Sequence, residues 1–241
     1  IAYMKYFTKK DNDFSLTLLN NLINYSKGIK LKKFIFMSSI KVSGEINNKL
    51  NKFKENNTPN PVGDYAKSKL LCENKIDNDF NNTNTLFYIM RTPIVIGGGV
   101  KGNLNTLLNI INKKIPLPFK KTNNFRSVLS ISNLNNFIEN LIINDFKCKG
   151  IYNLSDDIEI STSELIVLIN KFFKKPTKLF YFNKSLLKAI LFLINKKPLY
   201  EKLYCSQMLD NSKAKRDLLW QPKKYLEDDI RKMVENFYIK K

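Results

Sequence analysis

Histidine is absent from the 241 residues, tryptophan occurs once, and only four of the 41 basic residues are arginine: Arg91, Arg126, Arg216 and Arg231. Each scarcity narrows the chemistry. Without histidine no Ser-His or Cys-His nucleophile can be assembled. Three widely spaced cysteines, Cys72, Cys148 and Cys205, form no CxxC pair, so neither a zinc site nor a disulfide framework is expected, and no metal. Long hydrophobic runs are missing too. The longest, 186–194, is interrupted by Lys188 and too short to span a bilayer. The opening IAYMKYFTKK lacks a secretory pattern, so a reducing cytoplasm is the expected compartment, without a membrane span.

What is present is 43% hydrophobic residues, enough for a full core, and a net charge of +20. That charge would ordinarily suggest nucleic acid or an acidic membrane surface. Its distribution argues against a nucleic-acid partner, because the lysines are scattered among many Asn and Ile, whereas readers of bases and phosphates favour arginine forks or aromatic platforms.

Strand and helix patterns alternate along the chain. The run 34–37 is continuously apolar, as in a parallel strand buried on both faces, and stops at Ser38-Ser39. The polar stretch 47–57 reads as a surface loop. A breaker-rich turn, 58–63, precedes a helix over 64–76, and 86–90 reads as another strand. Leu104, Leu107, Leu108 and Ile111 mark a helical stripe. A short strand over 126–131 leads to a helix beginning at Ser132, with Leu134, Phe137, Ile138 and Leu141 on one face. A strand over 150–154 follows, and Ser161 with Glu164 forms a capping-box pair opening a helix over 165–173. Trp220 reads as core packing. The pattern predicts an α/β parallel sheet with helices on both faces, whose ligands gather at the carboxyl ends of the strands.

Tyr65 and Lys69 form a YxxxK pair, one helical turn apart on one face. A tyrosine of ordinary pKa, about 10, is no base near neutrality; lowering it by about three units takes roughly 4 kcal/mol of phenolate stabilisation, which a nearby ammonium can supply. The pattern alone is weak, since chance supplies about two such pairs in a chain with 11 tyrosines and this many lysines, and Tyr6 with Lys10 is another. A solvated helix face explains either pair equally well. Context separates them: Ser39 ends a buried strand 26 residues before Tyr65, and Tyr65 opens the next helix. A second trap is Gly97, Gly99 and Gly102, which satisfy GxGxxG. A dinucleotide fingerprint belongs in a first βαβ unit with an acidic residue about 20 positions on, and the residues after Gly102 are rich in Lys and Asn instead.

Taken in order, FIFMSSIKVSG (34–44) and TPNPVGDYAKSK (58–69) resemble the extended short-chain dehydrogenase/reductase family, in particular its sugar-nucleotide 4-epimerases and 4-ketoreductases. The likeness runs from about residue 32 to 237. It implies Ser39, Tyr65 and Lys69 as catalytic residues, with Tyr65, Lys69, Ser38 and Pro93 beside the nicotinamide of NAD. It also implies sugar-nucleotide contacts from Ser39, from Asn103 in the segment after the glycines, and from Arg126, whose planar guanidinium suits a diphosphate. An ordinary surface arginine accounts for Arg126 equally well without the resemblance. The stretches 152–156 and 212–220 resemble the family's last sheet strand and C-terminal helix.

The implied architecture is a Rossmann-like doubly wound sheet without its first strands (1–101 and 126–155), joined to a smaller, mostly helical substrate-binding lobe (102–125 and 156–241). The family's glycine-rich turn and the acidic residue that separates NAD from NADP are expected before Ile1, in about 70 further residues. Three functions stay open: C4 epimerisation of a UDP-hexose or UDP-N-acetylhexosamine through a 4-keto sugar, NAD(P)H-dependent 4-ketoreduction, and a non-catalytic remnant or binding module. A dehydratase fits less well, because Ile40 and Lys41 stand where its Asp-Glu pair would follow the catalytic hydroxyl. A homodimer through sheet-flanking helices is a further family expectation.

Overall fold

The computed structural model describes residues 9–48, 50–193, 195 and 197–239. Helix α1 (Lys9–Gly28) leads into strand β1 (Lys33–Ser39), a single 3-10 turn (Ile40–Val42) and helix α2 (Asp64–Phe80). Strands β2 (Leu86–Thr92) and β3 (Ile94–Ile96), separated by Pro93, precede helix α3 (Gly102–Asn112). Strand β4 (Arg126–Ser130), helix α4 (Ile131–Ile143), strands β5 (Gly150–Asn153) and β6 (Glu159–Ile160) and helix α5 (Thr162–Phe172) follow. The remainder is helical: α6 (Lys184–Leu193), α7 (Lys197–Tyr204), α8 (Ser212–Leu218) and α9 (Leu226–Ile239).

The first sheet has the order β1-β2-β5, all parallel, with Met37 opposite Met90 and Arg91 opposite Asn153. Its central strand explains the unbroken apolar run. Phe87 and Ile89 face Leu19 and Ile23 of α1 and Cys72, Ile76 and Phe80 of α2. Tyr88 and Met90 point the other way, onto Leu134, Phe137 and Leu141 of α4 and Ala214 and Leu218 of α8. Successive side chains in a strand alternate faces, so a strand covered on both must be apolar throughout. Trp220 is buried in the second of these layers, edge-on to Phe137 with its indole N–H donating to Asn136. The doubly wound Rossmann-like α/β arrangement is therefore observed.

A second sheet, β3-β4-β6, is parallel between β3 and β4 and antiparallel between β4 and β6. It underlies a separate core in which Leu104, Leu108 and Ile111 of α3, Ile166 and Ile169 of α5 and Ile230, Met233 and Val234 of α9 meet Ile96 and Val128.

Several boundaries move relative to the sequence reading. Helix α2 runs a further turn, to Phe80, and β1 takes in both serines. The cap of α4 is Ser130 rather than Ser132: Ser130 Oγ accepts from Asn133 N, while Ser132 donates from N and Oγ to the Asp229 carboxylate at 2.8 Å each. The capping box of α5 is present as expected. The stretch 47–57 is not a free loop. Phe53 N bonds to Met208 O, Asp210 N to Phe53 O, and Asn153 N to Glu55, so the segment straps β5 to the chain after α7. Among the described residues no helix is long and apolar enough to cross a membrane.

Candidate active site

Ser39 is the last residue of β1, extended and almost fully buried, with its Oγ accepting from Lys41 N at 3.3 Å as the cap of the 3-10 turn. Gly63, at a φ of 80°, starts α2; open space surrounds its missing side chain, so conformation is the reason for glycine there. This turn sets Tyr65 in the first helical turn, 38% exposed, where the positive end of the helix favours a developing phenolate. Lys69 follows one turn later and is buried, its ammonium donating to Met37 O at 2.8 Å. That ammonium lies 4.7 Å from the Phe36 ring centroid and 6.0 Å from that of Tyr65. The Lys69–Met37 bond fixes the start of α2 against the carboxyl end of β1, which brings Tyr65, Lys69, Ser38 and Ser39 to one end of the sheet. Burial pulls the Lys69 ammonium below its ordinary pKa, and the charges of Cys72 and Glu73 push it back up.

Beneath these groups is a pair the sequence reading did not single out. Glu73, one further turn along α2, and Arg91, near the end of β2, are each 1% exposed. Arg91 donates from Nε at 3.1 and 3.2 Å and from NH2 at 2.7 Å to the Glu73 carboxylate, and from NH1 to Ser43 Oγ at 3.3 Å. Ser38 Oγ also donates to Glu73, so its hydroxyl is held inside the network. Helical spacing from Tyr65 and Lys69 was the available signal for Glu73; Arg91 offered only its rarity. Pro93 is buried directly after Thr92, whose Oγ1 donates to Ser38 O at 3.3 Å. Pro93 therefore stands at the same strand ends.

The two remaining sequence candidates sit on other elements, α3 and β4. Asn103 is exposed in the first turn of α3. Arg126 opens β4, half-buried, with NH1 donating to Cys205 O at 3.2 Å and NH2 to Gln207 Oε1 at 2.7 Å. Gln207 donates in turn to Gly44 O at 2.8 Å, linking Arg126 to the loop that leaves Ser43. Burial pulls the Arg126 pKa down while Glu45 raises it. A 360 Å³ cavity is bounded by α3 and α9, lined by Lys101, Asn105, Asn109 and Asn236 among others, and includes none of Tyr65, Lys69 or Ser39. Tyr6, of the competing YxxxK pair, lies outside the described residues.

The glycine run resolves physically. A side chain at Gly97 would meet Ile131 Cγ2 at 2.3 Å, so this glycine serves the close approach of α4 to β3 and not a phosphate. All three cysteines are free, and no group of metal-ligating side chains occurs among the described residues.

An ammonium beside an exposed phenol at strand carboxyl ends, on a doubly wound sheet, defines a Rossmann-like protein of the short-chain dehydrogenase/reductase class. No protein-family model matches the chain. It is 31% identical to the UDP-glucose 4-epimerase of Vibrio cholerae over 218 residues, which are 90% of this chain and 66% of that relative. It is 26% identical over 149 residues to an N-acetyl-alpha-D-glucosaminyl-diphospho-ditrans,octacis-undecaprenol 4-epimerase of Escherichia coli O157:H7, covering 60% of this chain and 44% of the relative. The solved structure of the UDP-glucuronic acid 4-epimerase of Bacillus cereus, in complex with UDP-glucuronic acid and NAD, is similar with a TM-score of 0.72 at 18% identity, over 93% of this chain and 67% of that one. The chain belongs to the sugar-nucleotide epimerase/dehydratase family of the extended short-chain dehydrogenase/reductases. It spans less than two thirds of the length of both curated relatives.

Proposed function

We propose that the protein to which this chain belongs epimerises C4 of a UDP-hexose or UDP-N-acetylhexosamine through a transient 4-keto sugar, with NAD as resident cofactor and in the cytoplasm. The observation carrying this reading is the bond from Lys69 to Met37 O, which seats an ammonium between the ends of β1 and the first turn of α2, 6.0 Å from the Tyr65 ring. The names of the relatives, 4-epimerases of UDP-glucose and of a lipid-linked N-acetylglucosamine, support the reaction and leave the sugar open.

For the nicotinamide half of NAD the donor set fits: Tyr65, Lys69 and Pro93 at one end of the parallel sheet would hold it. For the pyrophosphate half no glycine-rich cradle occurs among the described residues, since the run at Gly97 is used for packing. Bound there, NAD supplies a two-electron acceptor that is restored within each turnover. The Tyr65 phenolate holds the proton of the 4-hydroxyl and returns it to the other epimer. The Lys69 ammonium, which donates to Met37 O, lowers the cost of that phenolate. Ser39 donates to the same sugar oxygen. Asn103 contacts the sugar nucleotide from the lobe made of 102–125 and 156–241, and Arg126 pairs with its diphosphate from the first residue of β4, in the sheet domain of 1–101 and 126–155. The complete protein pairs as a homodimer.

Incubating the complete protein with UDP-glucose or UDP-N-acetylglucosamine and catalytic NAD is expected to yield the 4-epimer by NMR. Tyr65→Phe should lower kcat by about 10²-fold or more. Stoichiometric NADPH oxidation with a 4-keto sugar nucleotide and no epimer would replace this reading with a reductase, and no turnover of either kind with a binding module.

A further inference from the structure

Helix α6 is apolar on two adjacent faces. Leu187 packs against the core beneath α3 and α9, and Leu191 is buried. One row round the helix, Leu186, Ala189, Ile190 and Leu193 sit at i, i+3, i+4 and i+7 and are all exposed; Leu186 is 55% and Leu193 84% accessible. Phe192 is exposed beside them, with the Lys188 ammonium 5.6 Å above its ring. The helix is not a loose appendage at its start, since Asn183 Oδ1 caps it by accepting from Ser185 N and Leu186 N. Directly before the cap, residues 178–180 pair with 117–120 through Leu117 N to Lys178 O, Phe180 N to Leu117 O and Lys120 N to Phe180 O. This ribbon presents Phe180 and Tyr181 to solvent, the latter under Lys121.

The charge around this surface is one-sided. Residues 101–125 hold five lysines and no acidic residue, and 161–200 hold eight lysines and one glutamate. Those two stretches supply α3, α5, α6 and the ribbon, so more than half of the net charge of +20 falls on the lobe that carries the apolar row. A helix with exposed leucines, isoleucine and phenylalanine, lysines alongside and aromatic residues at its edge has the makeup of an element that lies flat in the interfacial layer of a membrane. Pairing with a second copy would bring two predominantly basic surfaces together. A nucleic acid would use the lysines and leave the apolar row in water.

We propose that α6 and the adjoining ribbon form a peripheral docking surface for an anionic phospholipid bilayer, with the apolar row set among the acyl chains and the lysines against the headgroups. The proposal does not depend on the epimerase reading. In co-sedimentation at about 50 mM salt, the 241-residue chain is expected to pellet with vesicles of phosphatidylglycerol and phosphatidylcholine, and not with phosphatidylcholine alone. Lys188→Glu should weaken binding by about fivefold or more, and raising the salt should release the protein. Ile190→Glu and Leu193→Glu should also weaken it about fivefold or more with an unchanged thermal midpoint, since both side chains face solvent. No pelleting with anionic vesicles would overturn the proposal. So would pelleting that Leu193→Glu leaves intact, a monomer–dimer equilibrium in ultracentrifugation that Leu193→Glu abolishes, or binding of duplex DNA in place of vesicles.

Discussion

Glu73 and Arg91 are each almost wholly removed from water and satisfy each other, with Ser38 and Ser43 taking up remaining hydrogen-bonding capacity. A buried pair of this kind adds little net stability, yet removing one partner leaves an uncompensated charge in a low dielectric. Glu73→Gln is therefore expected to lower the unfolding free energy by about 3–5 kcal/mol in urea titration. The double variant Glu73→Met with Arg91→Met should lose less than the sum of its single variants, because neither charge is stranded. The pair also shows what a sequence conceals at this scale. Tyr65 and Lys69 are legible because a helix repeats every 3.6 residues, whereas Glu73 and Arg91 belong to different elements and meet only because α2 packs on β2. Ser39 is legible because it closes the continuous apolar run of β1.

Elements were predicted well where their signals are local and poorly where their partners are distant. The alternation of apolar runs and helical stripes located β1, β2, α2, α3 and α5. The α5 box was legible because Ser161 and Glu164 are three residues apart and bond reciprocally. The Glu164 carboxylate accepts from Ser161 N at 2.7 Å and is held below its ordinary pKa by that backbone bond and by the Ser161 hydroxyl. A lowered carboxylate pKa stabilises the fold above the unfolded-state value and loses that contribution as pH falls through the folded-state value. Ser161→Ala should accordingly cost about 1 kcal/mol near neutral pH by chemical denaturation. The gap between variant and parent should narrow as acid titrates Glu164. The misplaced cap of α4 has the opposite origin: Ser132 offers the right residue type, but its partner Asp229 is 97 positions away. The role of Gly97 was hidden in the same way, since its reason is Ile131 across a helix–strand contact.

At the scale of the molecule, the net charge of +20 destabilises the compact state by self-repulsion, most of all on the lobe bearing 101–125 and 161–200. Raising ionic strength from about 0.01 M to 0.15 M shortens the screening length from about 30 Å to 8 Å. The thermal midpoint should rise by about 2–4 °C, the shift that 1 kcal/mol gives a chain of this size, as read by calorimetry. The asymmetry was present in the sequence. It became meaningful only when the ribbon joined 117–120 to 178–180 and placed two lysine-rich stretches side by side.

The strap at 47–57 crosses between territories that fold around different cores: Phe53 and Glu55 hold Asn153 at the end of β5, and Phe53 bonds to Met208 and Asp210 on the return from α7. Lys52 reaches Glu159 of β6 from the same segment. A stretch whose composition suggests dispensable filler thus works as a stitch, and a deletion there would remove backbone bonds between these territories without touching either apolar interior.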